Sequence, residues 1–269
     1  MSVIICRKEH VANPWYVDGL GINIHSSQEL CYAIYHHPLL FMDGFVDGNL
    51  VEFVREELGM GFVAARMEQR IKTGDKPDEI LLMFMQECDY YTTAELNKLR
   101  QTMTSLRKLS PLEYAKKKAD YLAEFKQYGK AIAGYEEILE AAAKQSDAQL
   151  EGRVWNNLGA CYARIFQFQK AMDAFDKAYG KKKDPLILEK MFYLTCLSPA
   201  LELKERFRSL VTEKQQEQWE ESFKKAQDKA VESPELKKLQ ELFEKDSQKR
   251  AKESAALVEE WKQEYRNMA

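Results

Sequence analysis

Apolar residues from Ala119 to Ala178 recur at helical spacing, in a pattern that is written twice. Trp155, Leu158, Tyr162 and Ile165 fall near i, i+3, i+7 and i+10, one stripe of a 3.6-residue helix. Ala131, Tyr135, Ile138, Leu139 and Ala142 form a matching stripe. With an offset of 40 residues, Ala119 aligns with Gly159, Leu122 with Tyr162, Phe125 with Ile165, Tyr128 with Phe168, Ala131 with Ala171, Tyr135 with Phe175 and Ile138 with Ala178. Small residues recur where two helices must cross closely, because a larger side chain would hold the backbones apart. The pattern predicts a succession of amphipathic helices that approach closely at their small residues.

Punctuation divides the chain into three regions. Residues 1–108 form the first. Ser110-Pro111 with Glu113 then supplies an N-cap, a proline in the first helical position and a capping-box partner, opening a region that runs over 109–198. Its units span about 112–151 and 152–185, and a degraded third begins at Leu186. From 199 to 269 the chain is rich in Lys, Glu, Gln and Ala, and Ser233-Pro234-Glu235 splits it into two long helices, about 200–231 and 234–267. Polar Glu244 to Glu253 interrupts any coiled-coil seam, so a hairpin packed at its ends is expected, with Trp219, Phe223 and Ala226 as its facing stripe. Such a hairpin either caps the repeats or projects as a docking arm or dimer element.

In the first region Val3–Cys6 and Gly21–Ile24 read as short strands of a small β-hairpin. Five helical patterns follow. Ser26-Ser-Gln-Glu29 leads a helix to Tyr35, Asp47-Gly-Asn49 opens one that Gly59 closes, and Phe62–Ile71 is amphipathic. Asp75-Lys-Pro77 starts a helix to Cys88, and Thr93 starts one to about Lys108. The region matches no family.

The second repeat copy, Trp155-Asn-Asn-Leu158-Gly159-Ala-Cys-Tyr162 with Ala171 and Phe175, resembles the tetratricopeptide repeat family over residues 112–185. The usual period there is about 34 residues, so an offset of 40 leaves about six extra, which are expected to lengthen the helix running through Ala141-Ala-Ala-Lys-Gln145. The first copy departs at Ala115 and Lys118, opposite Trp155 and Leu158. The resemblance implies an α-α superhelix of helical hairpins whose first helices line a partner-binding groove, here with Lys116, Asp120, Arg153, Asn156, Asn157 and Arg164. Family members that clamp a C-terminal carboxylate use Lys and Asn residues and basic residues of a third unit. Lys116 and Asn157 stand at such positions, but Asp120 replaces an Asn, and Ile187 and Met191 stand where basic residues are required. A carboxylate clamp in that form is not expected.

Composition narrows the function class. The 269 residues are 45% hydrophobic and 31% charged, with a net charge of −3, a folded and soluble balance. Five dispersed cysteines, each within an apolar run, read as buried thiols of a reducing cytoplasm. The apolar run Val3–Cys6 is too short for a signal-peptide core, and no stretch approaches a membrane span. The first region carries 11 Lys and Arg against 15 Asp and Glu, so a nucleic-acid partner is not expected. His10, His25, His36 and His37 show no metal-ligand spacing, and no nucleophile elbow or phosphate loop is present. No metal, cofactor or catalytic residue is therefore assigned. The expectation is a mainly all-α, cytoplasmic, non-enzymatic adaptor or scaffold that binds a protein or peptide, with homo-oligomerisation left open. Two alternatives stand beside it: a regulator coupling peptide binding to an output of the first region, and an enzyme with a site near His25, His36 or His37.

Overall fold

A computed structural model describes residues 11–145 and 147–269. The fold is mainly α, with one small sheet. The chain forms two compact units, the first ending at Lys118 and the second beginning at Ala119.

In the first unit, β1 (Trp15–Val17) pairs antiparallel with β2 (Ile22–Ile24) across a turn in which Gly21 takes a φ of +66°. The hairpin expected from sequence is present, but Trp15–Val17 is the strand that pairs with β2; Val3–Cys6 lies outside the described residues. Ser26 caps α1 (Ser27–His36) by accepting from the Glu29 amide at 3.1 Å, and α2 (Pro38–Phe41) is a single turn. Asp47 caps α3 (Gly48–Glu52), which passes without a break into a π-helical turn, Phe53–Glu57, ended by Gly59 at φ +65°. The sequence pattern does not predict this wider turn. Its last residue, Glu57, accepts from the backbone amides of Ala12 and Asn13 and from the Asn13 side chain, at 2.7 to 3.1 Å. Those donors hold the Glu57 carboxyl below its usual range.

Three helices complete this unit: α4 (Gly61–Lys72), α5 (Pro77–Cys88) and α6 (Thr93–Arg107). All of Ile80 to Met85 is buried, which makes α5 the central helix. Arg107 ties the core together. Its guanidinium donates to Asp78 at 2.7 and 3.1 Å, to Asp43 at 2.7 Å and to the Met42 carbonyl at 2.8 Å, so the buried Asp78 carboxylate has a charged, bidentate partner.

The helix α7 (Pro111–Glu124) spans the boundary between the units and is followed by α8 (Tyr128–Gln145), α9 (Ala148–Arg164) and α10 (Phe168–Lys181). The two hairpins have one turn in common, residue for residue. Lys126 takes φ +58° and Gln127 donates to the Leu122 carbonyl at 2.9 Å; Phe166 takes φ +61° and Gln167 donates to the Tyr162 carbonyl at 2.9 Å. Each last turn thus ends in a left-handed residue with a six-to-one hydrogen bond, a helix stop usually given to Gly. Small residues sit at the crossings that the repeat pattern predicts. A Cβ on Gly159 would come within 2.8 Å of the Phe175 ring, and one on Gly134 within 3.3 Å of the Ala119 methyl. The helix α8 runs for 18 residues, against 14 in α10.

Beyond the hairpins the long-helix expectation fails. Asp184 caps α11 (Pro185–Leu197), but no full second helix follows. Residues 198–204 are irregular, α12 (Glu205–Arg208) is one turn, and Thr212 opens α13 (Glu213–Val231) with a capping box through Gln215. The predicted 234–267 helix is likewise two, α14 (Pro234–Glu244) and α15 (Ser247–Met268), because Asp246 accepts from the amides of Gln248 and Lys249 at 3.1 Å and starts a new helix. Trp219 and Phe223 do not face the last helices as expected. They pack on α11, with Trp219 against Phe192 at 5.6 Å and Phe223 against Tyr193 at 6.0 Å between ring centroids. No residue of α15 is buried; its end reaches the hairpin turns, where a Cβ on Gly129 would run into the Ala269 carbonyl.

Candidate functional site

A groove of about 580 Å³ opens in the second unit, lined by Asp120 and Ala123 of α7, Tyr135 of α8 and Asn157, Ala160, Cys161 and Arg164 of α9. Its walls come from the first helices of the two hairpins, α7 and α9, with the small side chains of Ala123 and Ala160 among them. Asp120 sits half-buried in it, where one carboxylate oxygen accepts from the Tyr135 hydroxyl at 2.7 Å and from the Asn157 amide at 2.9 Å.

The bond between Asp120 and Asn157 begins a polar ladder across the first helices. Asn156 donates to the Asn157 side-chain oxygen at 3.1 Å, and Lys190 of α11 donates to the Asn156 oxygen at 2.8 Å. The Lys190 ammonium also lies 5.7 Å from the centre of the Phe175 ring. Side chains from four helices are therefore fixed relative to one another by hydrogen bonds.

Burial sets the protonation states. It raises the pKa of the Tyr135 phenol, and the bond to the Asp120 carboxylate adds to the shift. It pushes the Cys161 thiol up to about 11, with the Asp120 charge adding and Arg164 opposing. At neutral pH Cys161 is a thiol, not a nucleophilic thiolate. Burial also lowers the pKa of Lys190. Outside the groove, the Tyr162 hydroxyl donates to Glu136 at 2.6 Å, and its pKa is pushed up to about 12, first by burial and then by that bond.

Of the six candidate residues, Asp120, Asn157 and Arg164 line one groove, and Asn156 is joined to it through Asn157. Arg153 lies exposed on α9, about one turn before Asn157. Lys116, one turn before Asp120, belongs to the first unit. Ile187 and Met191 are buried core residues of α11. Lys190 is not among the residues the sequence pattern singles out, although it lies 34 residues after Asn156, its hydrogen-bond partner. Tyr135 reads from sequence as a core residue, and its hydroxyl also orients Asp120.

His36 and His37 belong to an aromatic cluster of the first unit. His36 packs on Tyr32 at 4.2 Å and Tyr35 stacks on Tyr91 at 4.2 Å, while burial followed by the charge of His36 lowers the pKa of His37. Among the described residues no three His, Cys, Asp or Glu side chains converge as metal ligands, and no helix is long and apolar enough to cross a membrane. No protein-family model, curated protein or solved structure matches the chain.

Proposed function

We propose that this chain is a non-enzymatic adaptor that binds a protein segment or peptide on a short tetratricopeptide-like array. The array consists of the hairpins α7–α8 and α9–α10 and the single helix α11, with α13 in place of the missing partner helix. The observation that carries the reading is the open groove between α7 and α9, with its hydrogen-bonded polar ladder running on to α11. A surface of this kind offers an extended chain fixed donors and acceptors at helix-to-helix spacing, and it holds its own side chains in place before binding, which lowers the entropic cost of association. Among the described residues Cys88, Cys161 and Cys196 are free thiols, which suits a reducing, cytoplasmic setting.

Affinity capture from native lysate tests the reading, with the wild-type chain beside an Arg153→Glu, Asn157→Ala double variant of unchanged helical content. A partner retained by the wild type and lost from the variant is expected. Equal capture by both would move binding away from the groove, and turnover of a small molecule without any partner would overturn the adaptor reading.

A further inference from the structure

We propose that α15 is a displaceable strap: it closes one end of the groove, and a bound segment that runs on past the hairpin turns has to lift it. This rests on the peptide-binding reading above and concerns how that site is regulated.

Both hairpin turns touch the end of this helix. The Tyr265 hydroxyl donates to the Ile165 carbonyl at 3.4 Å, and the Ala269 carbonyl stands where a side chain at Gly129 would begin. The same turns form the end wall of the groove. Lys126 and Tyr128 line it beside Gly129, and Arg164 lines it beside Ile165. An extended ligand that lies along the groove and continues beyond these residues runs into the end of α15.

The hold on α15 is light. None of its 22 residues is buried, and among the described residues α14 is the helix it packs against most. Val258, Trp261 and Tyr265 follow at i, i+3 and i+7, one stripe of the helix, and this is the stripe that brings Tyr265 onto the second turn. The three side chains nevertheless remain 43, 47 and 40% exposed. One hydrogen bond and one close backbone approach therefore have little apolar burial behind them. An element held in this way opens at low cost relative to global unfolding, which is what a strap over a binding site requires. With the strap down the groove stops at the turns; with it lifted the groove continues past them. The apparent affinity for a long ligand is lowered in proportion to the fraction of molecules in which the strap is lifted, whereas a ligand that ends before the turns is unaffected.

The test uses the full chain and two pools of fluorescently labelled peptides of mixed sequence, six and sixteen residues long, roughly 20 and 50 Å when extended. Gly129→Leu places a side chain in the path of the Ala269 carbonyl, and leucine suits a helix better than glycine, so α8 is retained. Tyr265→Phe removes the other contact from the strap alone. Fluorescence anisotropy should show the sixteen-residue pool bound about tenfold more tightly by Gly129→Leu than by the wild type, with a smaller gain in Tyr265→Phe and no change for the six-residue pool. Amide hydrogen exchange over residues 247–269 should quicken in both variants. Equal gains for the two pools would trace the effect to the groove itself and overturn the strap. So would unchanged exchange, or faster exchange with no gain for the long pool, including the case in which neither pool binds; the groove reading then still stands on the capture experiment. If the double variant above captures as the wild type does, the groove reading falls, and the strap with it.

Discussion

The hairpins α7–α8 and α9–α10 copy one backbone and fill it differently. Their turns agree down to the left-handed residue and the six-to-one hydrogen bond, at Lys126 in one and Phe166 in the other. Their interiors do not. In the first, Gly134 meets Ala119 and leaves room for Tyr135 to reach Asp120; in the second, Gly159 is covered by the ring of Phe175, which occupies the place of Tyr135 without its hydroxyl. The first hairpin thus contributes a fixed carboxylate to the groove and the second a ring beside Lys190. The repeat preserves the contacts that define helix crossing, and the copies differ in the polar groups around them.

The comparison breaks most easily at the two glycines. Gly159→Val drives a side chain into the Phe175 ring, already within 2.8 Å of a bare Cβ, and should destabilise the protein by about 3 kcal/mol in denaturant titration. Gly134→Ala meets only the Ala119 methyl at 3.3 Å. There the gain in helix propensity, up to about 1 kcal/mol, offsets the crowding, so its midpoint should stay close to wild type. Equal losses at both sites would show that the hairpins are packed alike after all. Next in size is Tyr135→Phe, which makes the first interior resemble the second but removes a charge-assisted bond to Asp120. A loss of about 1.5 kcal/mol is expected, because Asp120 loses the hydroxyl that orients it.

Much of this contrast is legible in the sequence, because it lies in side-chain type and period. Ala119, Gly159, Ala131 and Ala171 mark the crossings, whereas a groove face for Asp120 and Asn157 is what the resemblance implies and not what the period shows. What is not legible depends on geometry between helices. The Asp120 bond to Asn157 joins residues far apart in sequence, and Lys190 becomes relevant only because α11 lies beside α9. Beyond the hairpins, cap chemistry outweighs composition: Thr212 and Asp246 start new helices within stretches whose Lys, Glu and Gln content suggests two continuous ones. The π-helical turn at Phe53–Glu57 carries no start or stop signal of its own, so the helical pattern alone does not reveal it.

The shared turn gives a smaller effect of opposite sign. Lys126→Gly and Phe166→Gly each place the residue type that tolerates positive φ at a left-handed position, and each should raise stability by about 1 kcal/mol. Similar gains would confirm that the turns are energetically equivalent; a much larger gain at one would show that its backbone is held under more strain.

The smallest effect is confined to alkaline pH and separates the hairpins by their polar contacts. Tyr162 of the second hairpin donates to Glu136 of the first, and burial together with this bond pushes its phenol up to about 12. The folded state therefore favours the protonated phenol more than the unfolded chain does, whose tyrosines ionise near 10. That contribution is complete below pH 10 and is lost as pH rises towards and through 12. Glu136→Gln removes the charge that opposes ionisation. Absorbance at about 295 nm, where tyrosinate absorbs, should then show the Tyr162 transition moved towards ordinary tyrosine values, while burial, the larger cause, keeps it above them. A transition unchanged by the substitution would mean that burial alone holds the phenol, and that the two hairpins meet there through packing rather than through a charged hydrogen bond.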